Sequence, residues 1–308
     1  MLNSSEKKLT VFTPTYNRGY ILSQLYDSLK KQTNKKFLWL IVDDGSTDNT
    51  EELVAKWINE QLVDIVYIKQ INGGKMKAHN TGVNNTHTEL FVCVDSDDWM
   101  VPTSVETILT EWNELSLDTK KRIAGFIAYR GKTINEVIGN EFPIGMTESS
   151  LSELYNRGFY GDTTIVFKTD IIKQYPFPII AEERFITEAY IYDQIDQIFT
   201  YYLIPSIMIV CEYRNDGLTQ NLLKISFNNP CGYTAYFMQK ANLSKTLKEK
   251  TLNYIRANCF RHKTRNKNIP VIPHNRVLYN LTYPIGILLF LNKKRKYMKA
   301  IRGSKWEK

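Results

Sequence analysis

Residues 89–98 read ELFVCVDSDD, an apolar run that closes on Asp95, Ser96, Asp97 and Asp98. An apolar run this short, with no polar alternation, is the pattern of a strand buried on both faces. Working outward, residues 37–46 repeat the grammar as FLWLIVDDGS, ending on Asp43 and Asp44. Residues 8–14 (KLTVFTP) and 63–69 predict two more strands. Helical spacing runs between them. It covers residues 20–32 through Ile21, Leu22, Leu25 and Leu29, and continues from a cap at Ser46 or Asp48 to about residue 59, with Glu51 and Glu52 in the first turn. Further helices are predicted over 75–84 and from Pro102 to about residue 115. This βα alternation implies an α/β fold with a doubly wound, largely parallel sheet. In such sheets ligands sit at the carboxyl ends of the strands. Four polar clusters fall there: residues 14–17, 43–46, 72–75 and 95–98.

The remainder is less regular. Strands are predicted over 123–129, 163–167 and 201–213, with a helix near 187–199. Past about residue 228 the chain turns basic and helical, and it carries the apolar stretch NLTYPIGILLFL at 280–291. The expected organisation is a catalytic domain over 1–225, split at 115/116, followed by a basic helical region over 226–308. No internal repeat or low-complexity linker is visible. From Lys240 onward 18 Lys or Arg stand against two acids, whereas the rest holds 22 bases and 30 acids. An acidic body thus precedes a strongly basic tail. Residues 280–291 are too short to span a bilayer, which needs about 20 apolar residues. Followed by Lys293, Lys294, Arg295 and Lys296, with Lys299 and Arg302 beyond, they suit a segment lying in an anionic membrane interface. A core helix with a solvated basic end is the plainer alternative. Cys93, Cys211, Cys231 and Cys259 form no CxxC pair, so reduced core thiols are expected. The opening residues show no apolar core followed by a cleavage site, so no secretory signal is expected.

The strand ends carry the chemistry. Three carboxylates at 95, 97 and 98 repel one another, and burial would raise their pKa values unless a cation is present. A hard divalent ion with oxygen ligands relieves this, and Mg²⁺ or Mn²⁺ held together with a diphosphate is the natural candidate. A solvated capping cluster is the bland alternative. Asp43 or Asp44 can accept hydrogen bonds from the imide of uracil or from ribose hydroxyls, and can also serve a turn and helix cap. At Asn72-Gly73-Gly74-Lys75, glycines permit close backbone approach, and a helix N-terminus with a lysine favours a phosphate or sugar oxygen. His79, one turn on, fits packing at least as well as a site.

Taken together, TPTYNR, VDDGSTD, NGGK and VDSDD, in that order, resemble a family 2 glycosyltransferase of the GT-A fold over about residues 8–115. The resemblance implies a Rossmann-like nucleotide-binding half and an acceptor-side half. Pro14, Thr15, Tyr16 and Asn17 would lie against the base, and Asp43 and Asp44 would hold uracil and ribose. Gly74 and Lys75 would join the donor site. Asp95, Ser96 and Asp97 would meet ribose and, through Asp97 and Asp95, the metal on the diphosphate. It implies a metal-dependent, inverting transfer from a nucleotide-sugar donor, UDP-linked by resemblance, to a glycan or lipid-linked acceptor in bacterial surface-polysaccharide assembly. Beyond residue 115 the likeness loosens. Relatives carry a Glu-Asp pair opening the acceptor-facing helix, and here Glu188-Ala189 aligns, without the Asp. Glu188 is the first candidate base, with Glu183 and Asp162 behind it; these acids also suit a helix start paired with Arg184. A cytoplasmic location, peripheral on the membrane, follows as an expectation.

Rival classes are weaker. A catalytically degenerate scaffold at the membrane fits the missing Asp but not the intact acidic cluster. A nucleotidyltransferase wants a Gly-rich basic loop after the first strand, and a dinucleotide enzyme a GxGxxG there. Nucleic acid is not an expected partner, because the acidic body repels its backbone. Oligomeric state is not legible.

Overall fold

The computed structural model describes residues 7–212, 221–265 and 267–303, with side chains described up to residue 299. The chain divides into two compact units, Met1–Pro176 with Ile191–Glu212, and Phe177–Tyr190 with Tyr213–Lys308. Residues 177–190 and 213–225, placed in the catalytic domain by the expected 225/226 boundary, fall in the second unit.

The first unit opens with β1 (Leu9–Thr15), α1 (Leu22–Lys30), β2 (Phe37–Asp43), α2 (Thr50–Glu60), β3 (Ile65–Lys69), α3 (Lys75–Asn84) and β4 (Leu90–Cys93). β3, β2, β1 and β4 lie side by side in that order, all parallel. Successive residues of each strand face opposite layers. Leu9, Val11, Trp39, Ile41, Leu90 and Val92 enter the main core, where Trp39 and Trp57 stack at 5.8 Å and Tyr26 lies on Trp57 at 4.4 Å. Phe12 and Phe91 turn to the other face and meet α3 through His79. β1, β2 and β4 are covered on both faces, so they read as largely apolar runs, whereas the edge strand β3 is half-exposed. Pro14 is tolerated in a central strand because β1–β4 pairing ends at Phe12↔Cys93, before the missing N–H matters.

The unit continues with β5 (Trp99–Met100), α4 (Ser104–Glu114), α5 (Leu117–Arg122), β6 (Ile123–Gly131), β7 (Glu148–Ser149), α6 (Leu151–Asn156), β8 (Thr163–Lys168), α7 (Thr169–Ile172), all but the first two residues of α8 (Ala189–Ile195), and β9 (Thr200–Val210). The sheet extends from β4 through β8, β6 and β9 to β5, with β7 also on β9. β8 runs antiparallel to β4 and β6, β9 runs parallel to β6, and β5 and β7 run antiparallel to β9. A mixed second half thus completes the parallel first half. β5 was not anticipated, and α4 starts at Ser104 rather than at Pro102. The expected strand end at Tyr213 lies outside the described residues.

The second unit is helical: α9 (Leu222–Asn228), α10 (Pro230–Leu243), α11 (Leu247–Asn258), α12 (Arg276–Leu281) and α13 (Tyr283–Gly303). Met238, Ala241, Tyr254, Ala257 and Tyr279 form one core, and Cys259, Phe260 and Phe290 another. All four cysteines are free thiols. No helix among the described residues is long and apolar enough to cross a membrane.

Candidate active site

Sequence order along the sheet reverses at β1, with β2 on one side and β4 on the other. The loops after β1 and β4 therefore flank the switch point, where open α/β sheets bind ligands. The structure gathers the first-unit motifs at this end. Asp44 N–H donates to Thr15 O at 2.8 Å, and Gln70 N–H to Asp43 O at 2.9 Å, so the ends of β1, β2 and β3 are tied together.

Ser46 does not cap α2. Its hydroxyl accepts from Asn17 N–H at 2.8 Å, while its own N–H donates to Asp43 Oδ1 at 2.7 Å. Asn17 adopts φ 52°, and its Oδ1 accepts from Thr47 N–H at 2.8 Å. Asp48 is the residue that serves the helix start, accepting from Thr50 N–H and hydroxyl. Burial works against the Asp48 carboxylate, but those bonds and the Gly19 N–H hold it below its ordinary pKa.

Asp43 and Asp44 are both buried. Asp43 Oδ2 accepts from the Tyr67 hydroxyl at 2.5 Å, and burial together with this carboxylate pushes the phenol pKa upward. Asp44 receives three donors: Gln70 Nε2 at 2.7 Å, Gly73 N–H at 2.9 Å and Gly74 N–H at 2.7 Å. Asp44 thus fixes the Gly-Gly turn that opens α3. Gly74 has φ 92°, a conformation side chains resist. Gly45, φ 83°, packs so closely that a Cβ there would lie 3.0 Å from Asn72 N.

Lys75, the first residue of α3, places Nζ 2.7 Å from Asp95 Oδ1. Burial would raise the Asp95 carboxyl, but Lys75 and then Arg130 hold it low. Arg130, at the end of β6, places Nη1 3.0 Å from Asp98 Oδ2 and 3.3 Å from Cys211 Sγ. Asp98 is pushed up to about 7 by burial and by the charges of Asp95 and Asp97, against the pull of Arg130. Burial first, then the Asp98 charge, keeps Cys211 a thiol, whose Sγ lies 3.3 Å from Asp98 Oδ2. Two of the three crowded acids therefore face the protein's own cations, which hold Asp95 low but do not offset the burial of Asp98. Asp97, half-buried, has no hydrogen-bond or ion-pair partner among the described residues. Ser96 is buried between its neighbours, and Tyr16 is exposed.

Three buried side-chain atoms at or beside these strand ends lack hydrogen-bond partners among the described residues: Thr15 Oγ1, Asn72 Oδ1 and Arg130 Nε. Buried polar atoms are nearly always satisfied, so such a group invites a ligand. No group of three or more His, Cys, Asp or Glu among the described residues is arranged to hold a metal ion. That suits Mg²⁺ or Mn²⁺ carried on a diphosphate, which takes one or two protein carboxylates and fills its shell with phosphate and water. Such an ion would fall to Asp97 and Asp95, of which Asp95 already meets Lys75.

The base candidates separate. Asp162 precedes β8, is exposed, and lies in the first unit; its carbonyl accepts from Arg130 N–H at 3.2 Å. Register places it at the Asp95 end of the sheet, since Val92 pairs with Val166 antiparallel. Glu183 and Glu188 belong to the second unit. Glu183 has a structural task. Its buried carboxylate accepts from Cys231 N–H and Gly232 N–H, both at 2.8 Å, and so caps α10. Glu188 is half-buried immediately before α8. His79 is edge-on to Phe12 at 5.7 Å and Phe91 at 5.6 Å, so it is a core residue. Sequence reasoning missed Arg130, Gln70 and Tyr67. Arg130 had a legible signal, a lone charge closing the apolar run IAGFIAY.

The family model described as Glycosyl transferase family 2 matches residues 10–175, more than half of the chain. Glycosyltransferase GlyA of Streptococcus pneumoniae is 39% identical over 113 residues, 37% of this chain but 16% of GlyA. The chain spans less than half the length of the first curated relatives it matches, from 16% to 49%. A Campylobacter jejuni protein named GalNAc(5)-diNAcBac-PP-undecaprenol beta-1,3-glucosyltransferase is 24% identical over 73% of this chain and 72% of its own. Among solved structures, S. aureus TarS 1–349 in complex with UDP-GlcNAc superposes with a TM-score of 0.57 at 16% identity, covering 95% of this chain and 92% of that one, and shares the fold. The chain belongs to glycosyl transferase family 2, and its sheet is of the GT-A type.

Proposed function

We propose that this family 2 glycosyltransferase moves a sugar from a UDP-linked donor to a hydroxyl of a glycan or lipid-linked acceptor, with metal dependence and inversion, in bacterial surface-polysaccharide synthesis. The observation that carries the reading is one continuous network at the switch point. Asp44 holds Gly73 and Gly74, Lys75 meets Asp95, Arg130 meets Asp98, and Asp97 is left without a protein partner. The TarS structure that shares this fold holds UDP-GlcNAc, and the name of the Campylobacter relative specifies an undecaprenol-linked acceptor.

In this reading Thr15, Tyr16, Asn17 and Asp43 surround the base and ribose, while Asp44 keeps the Gly74–Lys75 corner in place for the diphosphate. Asp97 and Asp95 would hold Mn²⁺ or Mg²⁺, which offsets charge on the departing diphosphate. Lys75 adds a cation at the same corner. Glu188 takes the proton from the attacking hydroxyl, with Glu183 and Asp162 behind it as candidates. Direct attack at C1 inverts the anomeric centre and needs no covalent nucleophile. The basic tail meets an anionic membrane surface, placing the enzyme peripherally on the cytoplasmic face, within reach of a lipid-linked acceptor.

Donor binding and hydrolysis across UDP-, GDP- and CDP-sugars with Mn²⁺, comparing wild type with Asp97→Ala, tests this. The expected result is binding of one nucleotide class, with kcat/KM lowered about 100-fold or more in the variant, the scale of removing one electrostatic stabiliser. Folded protein that binds no donor would instead support a scaffold role.

A further inference from the structure

α12 and α13 behave as one rod, because Thr282 N–H donates to Leu278 O at 3.0 Å and Gly286 N–H to Thr282 O at 3.1 Å across their junction. One side of the rod packs inward. Tyr279 joins the core beside Tyr254, Phe290 lies against Phe260 at 5.7 Å, Lys293 covers the Tyr233 ring at 4.6 Å, and Tyr297 stacks on Phe227 at 4.6 Å. The opposite side is apolar as well, and open. Val277, Leu281, Ile285, Leu288, Leu291 and Met298 recur at helical spacing, and Val277, Leu281 and Leu288 are 71%, 70% and 65% exposed. Exposed Lys294, Arg295, Lys296 and Lys299 close the same rod. The basic run is therefore not uniform. Lys293 belongs to the inner face, and only the later cations face solvent.

We propose that this outer row is a docking face for an anionic lipid bilayer, with the rod lying flat, the apolar row in the acyl boundary and the exposed cations among phosphate headgroups. A contiguous exposed apolar face marks an interaction site. The cations at its end select a negatively charged partner rather than a second copy of an equally basic region. No described helix is apolar enough to span, which leaves the interfacial pose. The proposal gives a structural basis to the membrane part of the function above and rests on that reading.

The test uses the full chain with phosphatidylglycerol-containing vesicles and with pure phosphatidylcholine vesicles, without donor or acceptor, so its failure leaves the transferase reading intact. Wild type should partition onto the anionic vesicles and little onto the neutral ones. Leu281→Glu with Leu288→Glu should weaken partitioning by at least about tenfold, and Lys294→Gln with Lys296→Gln should weaken it and flatten its salt dependence. The uncharged pair Leu281→Ser with Leu288→Ser, checked for native circular dichroism, should weaken it in the same direction. Unchanged partitioning of the apolar-row variants would overturn the proposal. So would wild type that ignores vesicles while sedimenting as a dimer that the Glu variants dissociate.

Discussion

His79 shows how a polar residue near the site is taken into the core. Its ring lies between Phe12 and Phe91, and burial, reinforced by Lys75, pushes its pKa down to about 3. The folded protein thus keeps His79 neutral where the unfolded chain, with a value near 6.5, binds a proton. The stability this residue contributes is present above pH 6.5 and is lost as pH falls from there toward 3. Each pH unit in that window costs up to about 1.4 kcal/mol. Urea titrations at pH 7 and 5 should show a smaller loss for His79→Leu than for wild type; equal slopes would mean that the imidazole is protonated in the fold. At the same scale, Asp43 and Asp44 were legible as strand-end acids because they end an apolar run. Their partners were not, since Tyr67, Gln70, Gly73 and Gly74 stand on the next strand and turn.

Among the elements, α10 gives one of the candidate acids a structural partner. Its N-terminal N–H groups at Cys231 and Gly232 point at Glu183, an anion at the positive end of the helix dipole. Asn229 Oδ1 accepts from Arg184 N–H and Phe185 N–H, clamping the same segment. Glu183→Ala leaves two buried donors unsatisfied and should cost about 1–3 kcal/mol in chemical denaturation while sparing donor hydrolysis. Glu188→Gln should do the reverse, keeping stability and donor binding and abolishing transfer to acceptor. Loss of transfer in Glu183→Ala at full stability would put Glu183 in the base position.

At the scale of the whole molecule, ligand and fold are linked. Four of the five tryptophans, Trp39, Trp57, Trp99 and Trp112, lie in the first unit, so tryptophan fluorescence reports mainly its unfolding. UDP with Mn²⁺ at about 100 times its dissociation constant should stabilise this unit by about 2.7 kcal/mol. For a unit of this size that shifts the midpoint by roughly 5–10 °C. EDTA should cancel the shift if a metal held by Asp97 is needed for nucleotide binding. A shift that survives EDTA would show that Lys75 and the Gly74 corner hold the nucleotide alone.

The sequence by itself determined the parallel first half, the ends of its strands and the acids gathered there. Those features are written locally, in apolar runs that stop at polar residues and in helices with one apolar face. Helix Lys75–Asn84 matches its expected bounds for that reason. Tertiary structure alone decided which cations face those acids, because Lys75 and Arg130 reach Asp95 and Asp98 from another helix and another strand. It also decided that Glu183 caps a helix and that Lys293 turns inward while Leu281 and Leu288 face out. Periodicity records that a helix has an apolar side, but which side finds a neighbour depends on packing between segments distant in the chain.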